Sequence, residues 1–137
     1  MKLPDTNFWF ALLVPEHPFH HKALSFWEDA NDLVLNRIVA LGLLRLLTNA
    51  VAMGQKPLEV TEAWAVYWKL RHEGGVLLLE EPWGLEEVLQ ALVQNGLAPR
   101  LWTDAYLATF VMAGGYQLVT FDRDFKRFDG LNYILLS

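Results

Sequence analysis

The chain reads as an α/β domain in which helices cover both faces of a parallel β-sheet. Three observations predict it. Short apolar runs, "LVLN" at 33–36, "VLLL" at 76–79 and "QLVTFD" at 117–122, have the length and composition of buried strands. The stretches between them are longer and carry apolar residues at helical spacing, the alternation that gives parallel sheets with two covered faces. The length, 137 residues, suits a single domain, 1–137, around one core.

The opening "MKLPDTN" predicts a strand that stops near Leu3, because Pro4 cannot donate to a sheet ladder. Asp5 then leaves its carboxyl end. "FWFALLV" comes next as a short helix closed by Pro15, and a second helix starts near Pro18, with Phe19, Ala23, Phe26 and Trp27 on one side. After the strand at 33–36, "RIVALGLLRLLTNAV" is too long for a strand and becomes a largely buried helix ending before Gly54 and Pro57. Thr61 is expected to cap "EAWAVYWKLRHE", which Gly74 and Gly75 end. Beyond the strand at 76–79 come the helix "GLEEVLQALVQNG" and then "DAYLATFVMA", capped by Thr103 and stopped by Gly114 and Gly115. The strand at 117–122 and a short fifth, "YILLS", complete the chain.

Composition narrows the function classes. Hydrophobic residues make up 53% and charged residues 20%, which excludes a disordered chain. There is no Cys, so disulfides, thiolate zinc sites and cysteine nucleophiles are all excluded. The apolar run Phe8–Val14 is too short to span a bilayer, and no signal peptide is evident, so a cytoplasmic protein is expected. The net charge of −5 argues against general binding of nucleic acid by phosphate neutralisation. Any such contact has to be local, through a few cations or a metal. Six Trp and eight Phe are an unusual aromatic load, which suits either a broad core or a core plus a partner surface.

"LVTFDRDF" at 118–125 sets an apolar run against Asp122 and Asp124. In parallel sheets, ligands gather outside the carboxyl ends of the strands. Asp5 after the first strand and Asp122 after the fourth therefore share a rim, and Asp104, in the first turn of the helix entering that fourth strand, can face the same crevice. Two like charges about 4 Å apart repel by roughly 4 kcal/mol at an effective dielectric near 20. Three such acids either protonate in part or bind a cation, and oxygen ligands favour hard ions such as Mg²⁺ or Mn²⁺. Each acid also has a structural reading. Asp5 can cap a helix, Asp104 can face the positive end of its own, and Asp122 and Asp124 can form a turn or pair with Arg123, Lys126 or Arg127.

Other motifs carry less. "DRDFKRFDG" has Lys126 and Arg127 where a calcium loop needs an acid or amide and a glycine. His17, His20 and His21 lack a Cys partner and read as a solvated helix start rather than a zinc site, and His72 as a surface residue. Ser25 and Ser137 have no evident base.

Three stretches, "LPDTNFWFALLVPEHPFHHKA", "RIVALGLLRLLTN" and "LWTDAYLATFVMAGGYQLVTFDRDF", together resemble the PIN-domain family, in particular the VapC-like ribonuclease toxins of toxin–antitoxin pairs. The resemblance runs over nearly the whole chain, and its most specific part is the strand ending T-F-D-x-D-F. It implies a three-layer α/β/α sandwich and a Mg²⁺-dependent endoribonuclease. It implies that Asp5, Asp104 and Asp122 hold the metal (Mn²⁺ being the alternative ion), with Asp124 accessory and Asn7 and Thr120 positioning acids or waters. It further implies an RNA substrate, a homodimer and a cognate antitoxin whose tail covers the groove. One departure stands out. The family usually carries a further acid in or before the middle helix, where this chain aligns Ala40, and Glu62 lies a helix later.

Arg45 sits inside an apolar helix and is expected to pair with a carboxylate or reach a phosphate. Arg37, Arg45, Arg123 and Lys126 are candidate phosphate contacts. The rival readings are a degenerate member that binds RNA or antitoxin without cleaving, and an acid-pocket phosphotransferase. The latter is disfavoured by "DTN" after the first strand and "LLLEEP" after the third.

Overall fold

A computed structural model describes residues 1–136; Ser137, at the end of the expected fifth strand, lies outside the described residues. The elements are strand β1 (Lys2–Pro4), helices α1 (Thr6–Leu13) and α2 (His20–Asp29), and strand β2 (Val34–Asn36). Helices α3 (Arg37–Leu47) and α4 (Val60–His72), strand β3 (Leu77–Leu79), and helices α5 (Leu85–Leu92) and α6 (Trp102–Gly114) come next. Strand β4 (Gln117–Thr120) and strand β5 (Tyr133–Leu135) complete the order.

All pairings are parallel: β1 with β4, β4 with β5, and β2 with β3. A single bridge, Lys2 to Leu33, joins the β2–β3 pair to the other three strands, so the spatial order is 3-2-1-4-5. Pro4 explains the thin seam. Asp5 N–H donates to Val119 O at 2.9 Å and Lys2 N–H to Asp32 O at 3.0 Å. Odd residues of the first strand thus face β4 and even ones face β2, so the amide that Pro4 lacks falls on the β2 side. Pro4 therefore lies within β1, a residue beyond the expected stop. It is paired with Val119 through its neighbours and ends only the other ladder. A Lys2–Asp32 ion pair at 3.0 Å spans the same seam, half-exposed and worth little by itself.

With the order 3-2-1-4-5, crossovers of the usual right hand put α1 to α4 on one face and α5 and α6 on the other, which is the expected three-layer sandwich. α1 packs on α2 and α3, and α5 on α6. Phe8, Trp9 and Phe10 are all buried, so α1 is a core helix on nearly every side. On α4 only Ala63, Tyr67 and Leu70 are buried. Trp64 and Trp68 stay 40% and 45% exposed, stacked on each other, with His72 stacked on Trp68. The aromatic surplus is thus divided between the core and the surface, where Phe19, Trp83 and Trp102 are exposed besides this face of α4.

Two helix starts differ from expectation. α4 begins one residue before Thr61, with Glu59 at the cap position and its N–H donating to Glu62 Oε1 at 2.9 Å. α6 continues from a 3-10 turn at Pro99–Leu101, which places Thr103 inside the first turn rather than before it. A 3-10 segment, Arg123–Arg127, comes after β4. Gly115 closes α6 in the left-handed region, φ 70°, where a side chain would be strained.

Trp9 is fully buried, and its indole N–H has no partner among the described residues. An unpaired buried donor costs about 1–3 kcal/mol. Trp9→Phe, which loses ring volume but also that donor, is expected to stay within about 1 kcal/mol of the parent in urea unfolding, whereas Trp9→Ala loses about 3–5 kcal/mol. Equal losses in the two variants would contradict this account of the core.

Candidate active site

β1 and β4 run side by side, so the residues leaving the two strands meet at one rim. α6 runs back toward the start of β4, which puts its first turn at that rim too. Asp5, Asp104 and Asp122 accordingly line a single cleft of about 100 Å³, with Thr6 and Asn7 of α1, Ile38 and Val39 of α3, and Phe125 among its walls. The volume is several times what one water needs.

Asp5 is 5% exposed and its oxygens are held separately. Oδ1 accepts from Phe8 N–H at 3.0 Å, capping α1, and Oδ2 accepts from the Thr120 hydroxyl at 2.5 Å. Thr120 in turn accepts from Asp122 N–H at 2.9 Å. One fully buried hydroxyl therefore ties the ends of β1 and β4 together. Asp122 Oδ1 accepts from Asp124 N–H at 2.8 Å and starts the 3-10 segment. The capping and turn readings of Asp5 and Asp122 are thus both correct, and both residues still face the cleft.

Electrostatically the cleft is strained. Burial pushes the Asp5 carboxyl up to about 6; the Thr120 and Phe8 hydrogen bonds work against this, while the charges of Asp122 and Asp104 add to it. Burial, then the charge of Asp122, raises Asp104 as well, partly offset by the guanidiniums of Arg127 and Arg100. The acids repel across the cleft rather than closing on one point. Among the described residues, no group of three or more His, Cys, Asp or Glu side chains is gathered tightly enough to hold a metal ion by itself.

Several expected neighbours sit elsewhere. Asp124 is exposed, outside the cleft walls, with its carboxylate 3.8 Å from Arg127. Arg45 lies exposed in the last turn of α3 with no carboxylate within 4 Å among the described residues, so the expected ion pair is not formed. It snorkels into water at the helix end, where a cation also suits the dipole. It stands eight residues from the start of α3, roughly 12 Å along the axis from the end that borders the cleft. Arg100 and Arg127, which the sequence did not single out as site residues, are the cations that feel Asp104. Their only sequence signal was proximity to Asp104 and Asp124.

α3 contributes no acid. Ala40 is fully buried in the core, and the residue that meets α1 beside the cleft is Gly42, where a Cβ would come 2.6 Å from Thr6 Oγ1. A side chain at position 42, not 40, would press toward the site. His17 Nδ1 accepts from Phe19 N–H at 3.0 Å and His20 Nδ1 lies 2.9 Å from Ala11 O, so both are engaged locally rather than solvated.

The PIN-domain family model matches residues 2–131. The chain belongs to the PIN-domain family. It is 40% identical over 146 residues to Ribonuclease VapC41 of Mycobacterium tuberculosis, covering 100% of this chain and 99% of that protein. In fold it resembles VapBC2 of Rickettsia felis, solved bound to a promoter DNA fragment, with a TM-score of 0.68 at 14% identity over 99% of this chain and 98% of the other. It also resembles FitAcB of Neisseria gonorrhoeae, with a TM-score of 0.61 at 17% identity over 98% and 96%. Among the described residues, no helix is long and apolar enough to cross a membrane.

Two measurements check the electrostatics of this PIN-domain cleft. The folded pKa of Asp5, about 6, lies above its ordinary 3.8, so this group lowers stability as pH rises through that window. Without divalent metal, Asp5→Asn is expected to be more stable than the parent at pH 7.5, on the order of 2–3 kcal/mol, with the gap closing as pH falls below about 4. Thermal melts across pH, in chelator, test it. Thr120→Val removes a hydrogen bond that favours the charged carboxylate, so it is expected to move the titration of Asp5 to higher pH; carboxyl NMR would show it.

Proposed function

We propose that this PIN domain is a metal-dependent endoribonuclease, the toxin of a toxin–antitoxin pair. The observation that carries the reading is the meeting of Asp5, Asp104 and Asp122 in one cleft, although they lie 99 and 18 residues apart in sequence. The likeness to Ribonuclease VapC41 supports RNA as the substrate.

The donor set fits a hard divalent ion. It offers carboxylate oxygens, and the raised Asp5 and Asp104 carboxyls mark an excess of negative charge that a cation would relieve. Asp5, Asp104 and Asp122 would hold it. The open arrangement suits Mg²⁺ or Mn²⁺, which keeps several waters and takes one or two carboxylates directly. When bound, such an ion lowers the pKa of water and neutralises phosphodiester charge. The protein's own work is positioning. The Thr120 hydroxyl and Phe8 N–H fix the Asp5 carboxylate, and Thr120 sets where the backbone turns to present Asp122. Arg100 and Arg127 supply positive charge at the Asp104 side, and exposed Arg37, Arg123 and Lys126 remain candidate phosphate contacts. Arg45 is not among them.

The partner is an antitoxin, in keeping with the structural likeness to VapBC2 and FitAB. The exposed Trp64–Trp68 face of α4 is an apolar surface suited to that partner or to a second copy in a homodimer. A cytoplasmic location goes with this role. The absence of an acid on α3 favours one alternative, a PIN domain that binds RNA or antitoxin without cleaving.

Incubating the protein with RNA and Mg²⁺ or Mn²⁺ tests the proposal. Cleavage is expected, with chelator abolishing it. Asp5→Asn, Asp104→Asn and Asp122→Asn are each expected to fall more than about a hundredfold while still folded, and Arg45→Ala is expected to cleave like the parent. Full activity in any of the three acid variants would remove that residue from the site. Metal uptake by calorimetry without any cleavage would favour the binding module.

A further inference from the structure

Phe121, next to Asp122 in the chain, is the centre of a column of three near-parallel phenyl rings. Phe8 is fully buried in α1. Phe121, between Thr120 and Asp122, stacks on it at 6.4 Å and 18°. Phe19 stacks on Phe121 at 4.7 Å and 15° and is 39% exposed. The column thus begins in the core, passes through the residue joining the two site residues at the end of β4, and ends at the surface.

The way Phe19 is presented is not what helix stability alone would select. It occupies the N-cap of α2 with no side-chain cap, a position where Ser, Thr, Asp or Asn stabilises a helix by about 1 kcal/mol. Its own N–H is instead tied to His17 Nδ1 at 3.0 Å, and the His17 ring packs edge-on against Phe10. A fixed turn therefore holds an aromatic ring at the surface. The Lys22 ammonium lies over that ring, 5.6 Å from its centre. In a chain of net charge −5 this puts an exposed lysine over a partly exposed ring that stacks on the residue before Asp122. Aromatic faces stack on unpaired bases of any kind, and an adjacent cation meets the phosphate.

We propose that Phe19 is a stacking platform for a base flanking the cleaved bond, with Lys22 swinging from the ring to that nucleotide's phosphate. The inference rests on the ribonuclease reading and adds to it a specificity-determining surface outside the acids. Phe121 sets the spacing, being joined covalently to Asp122 and stacked directly on Phe19.

The test uses the full chain and a fluorescein-labelled single-stranded RNA spanning a bond that the parent cleaves, alongside the same RNA with an abasic ribose next to that bond. Binding is read by anisotropy in the Asp122→Asn background and cleavage in the parent background. Phe19→Ala is expected to weaken binding about tenfold and to raise KM more than it lowers kcat. Phe19→Trp is expected to restore binding, and Phe19→Leu, which keeps apolar volume without a π-face, is not. The abasic RNA should lose about as much on the protein with Phe19 intact and little further on Phe19→Ala. Lys22→Ala should flatten the salt dependence by about one phosphate contact. Affinity unchanged in Phe19→Ala, or fully kept by Phe19→Leu, in a protein that cleaves RNA would overturn the platform and leave the ribonuclease reading intact. A parent protein that neither binds nor cleaves RNA would overturn both.

Discussion

The hydroxyl of Thr120 is the joint on which the rim of this sheet depends. It gives its proton to Asp5 at 2.5 Å and accepts the Asp122 amide at 2.9 Å, inside a protein wall that admits no water to it. A hydrogen bond to a charged group contributes more than a neutral one, about 1.5–3 kcal/mol, and here it also partly offsets the desolvation of a buried carboxylate. The joint exists because β1 and β4 pair in one register, Pro4 opposite Val119. A slip of one residue would turn Thr120 to the other face of the sheet and leave Asp5 buried without its donor. Local chemistry at the site is therefore a consequence of long-range strand pairing, and the strand pairing is pinned in turn by the chemistry.

The alternation of strands and helices was legible because the strands are short, apolar and separated by stretches of clear helical period. Less legible were the places where two physical signals compete. Thr61 and Thr103 are good caps by residue type, yet Glu59 with Glu62 begins α4 two residues earlier and a 3-10 turn at Pro99–Leu101 feeds α6. Pro4 reads as a strand breaker in one dimension, but in the sheet it breaks only the ladder on its β2 side. Asp5 and Asp122 offered a choice between structural and functional roles that the folded chain does not make, since each makes its capping or turn hydrogen bond and still lines the cleft. Arg45 departs from expectation because α3 keeps one exposed face along its length: Arg37, Leu41 and Arg45, four residues apart, all meet solvent while Val39, Leu43 and Leu47 are buried. Sequence offset points to Ala40 as the place of the missing acid, whereas the packing of α3 on α1 turns position 42 toward Thr6.

The aromatic content shows the same division. Phe8 and Trp9 are fully buried, and Phe26, Trp27 and Phe121 pack edge-on or stacked around them. These contacts give α1 enough apolar area to stand against the sheet despite its eight residues. Other aromatics emerge at the surface: Phe19 stacked on Phe121, the Trp64–Trp68–His72 ladder on α4, Trp83 just before α5, and Trp102 at the start of α6. Burial and binding draw on one residue class here, so composition alone could not divide them; only the helix faces do.

A net charge of −5 and a cleft lined by acids would be expected to repel a polyanion. The resolution is a matter of range. Exposed charges are screened within about 8–10 Å at ordinary salt, so the net charge of the whole chain matters less to an approaching phosphate than the charges next to the cleft. Within that range stand Arg127 and Arg100, both of which stabilise the charge of Asp104. The acids themselves are held in a state that favours losing negative charge, since burial raises Asp5 and Asp104 and the charge of Asp122 pushes both further up. A divalent cation would convert that repulsion into affinity, for the ion and then for an anion bridged by it. The same burial that makes Asp5 costly to the fold therefore makes the cleft receptive, which is how a destabilising group comes to sit at the centre of a site.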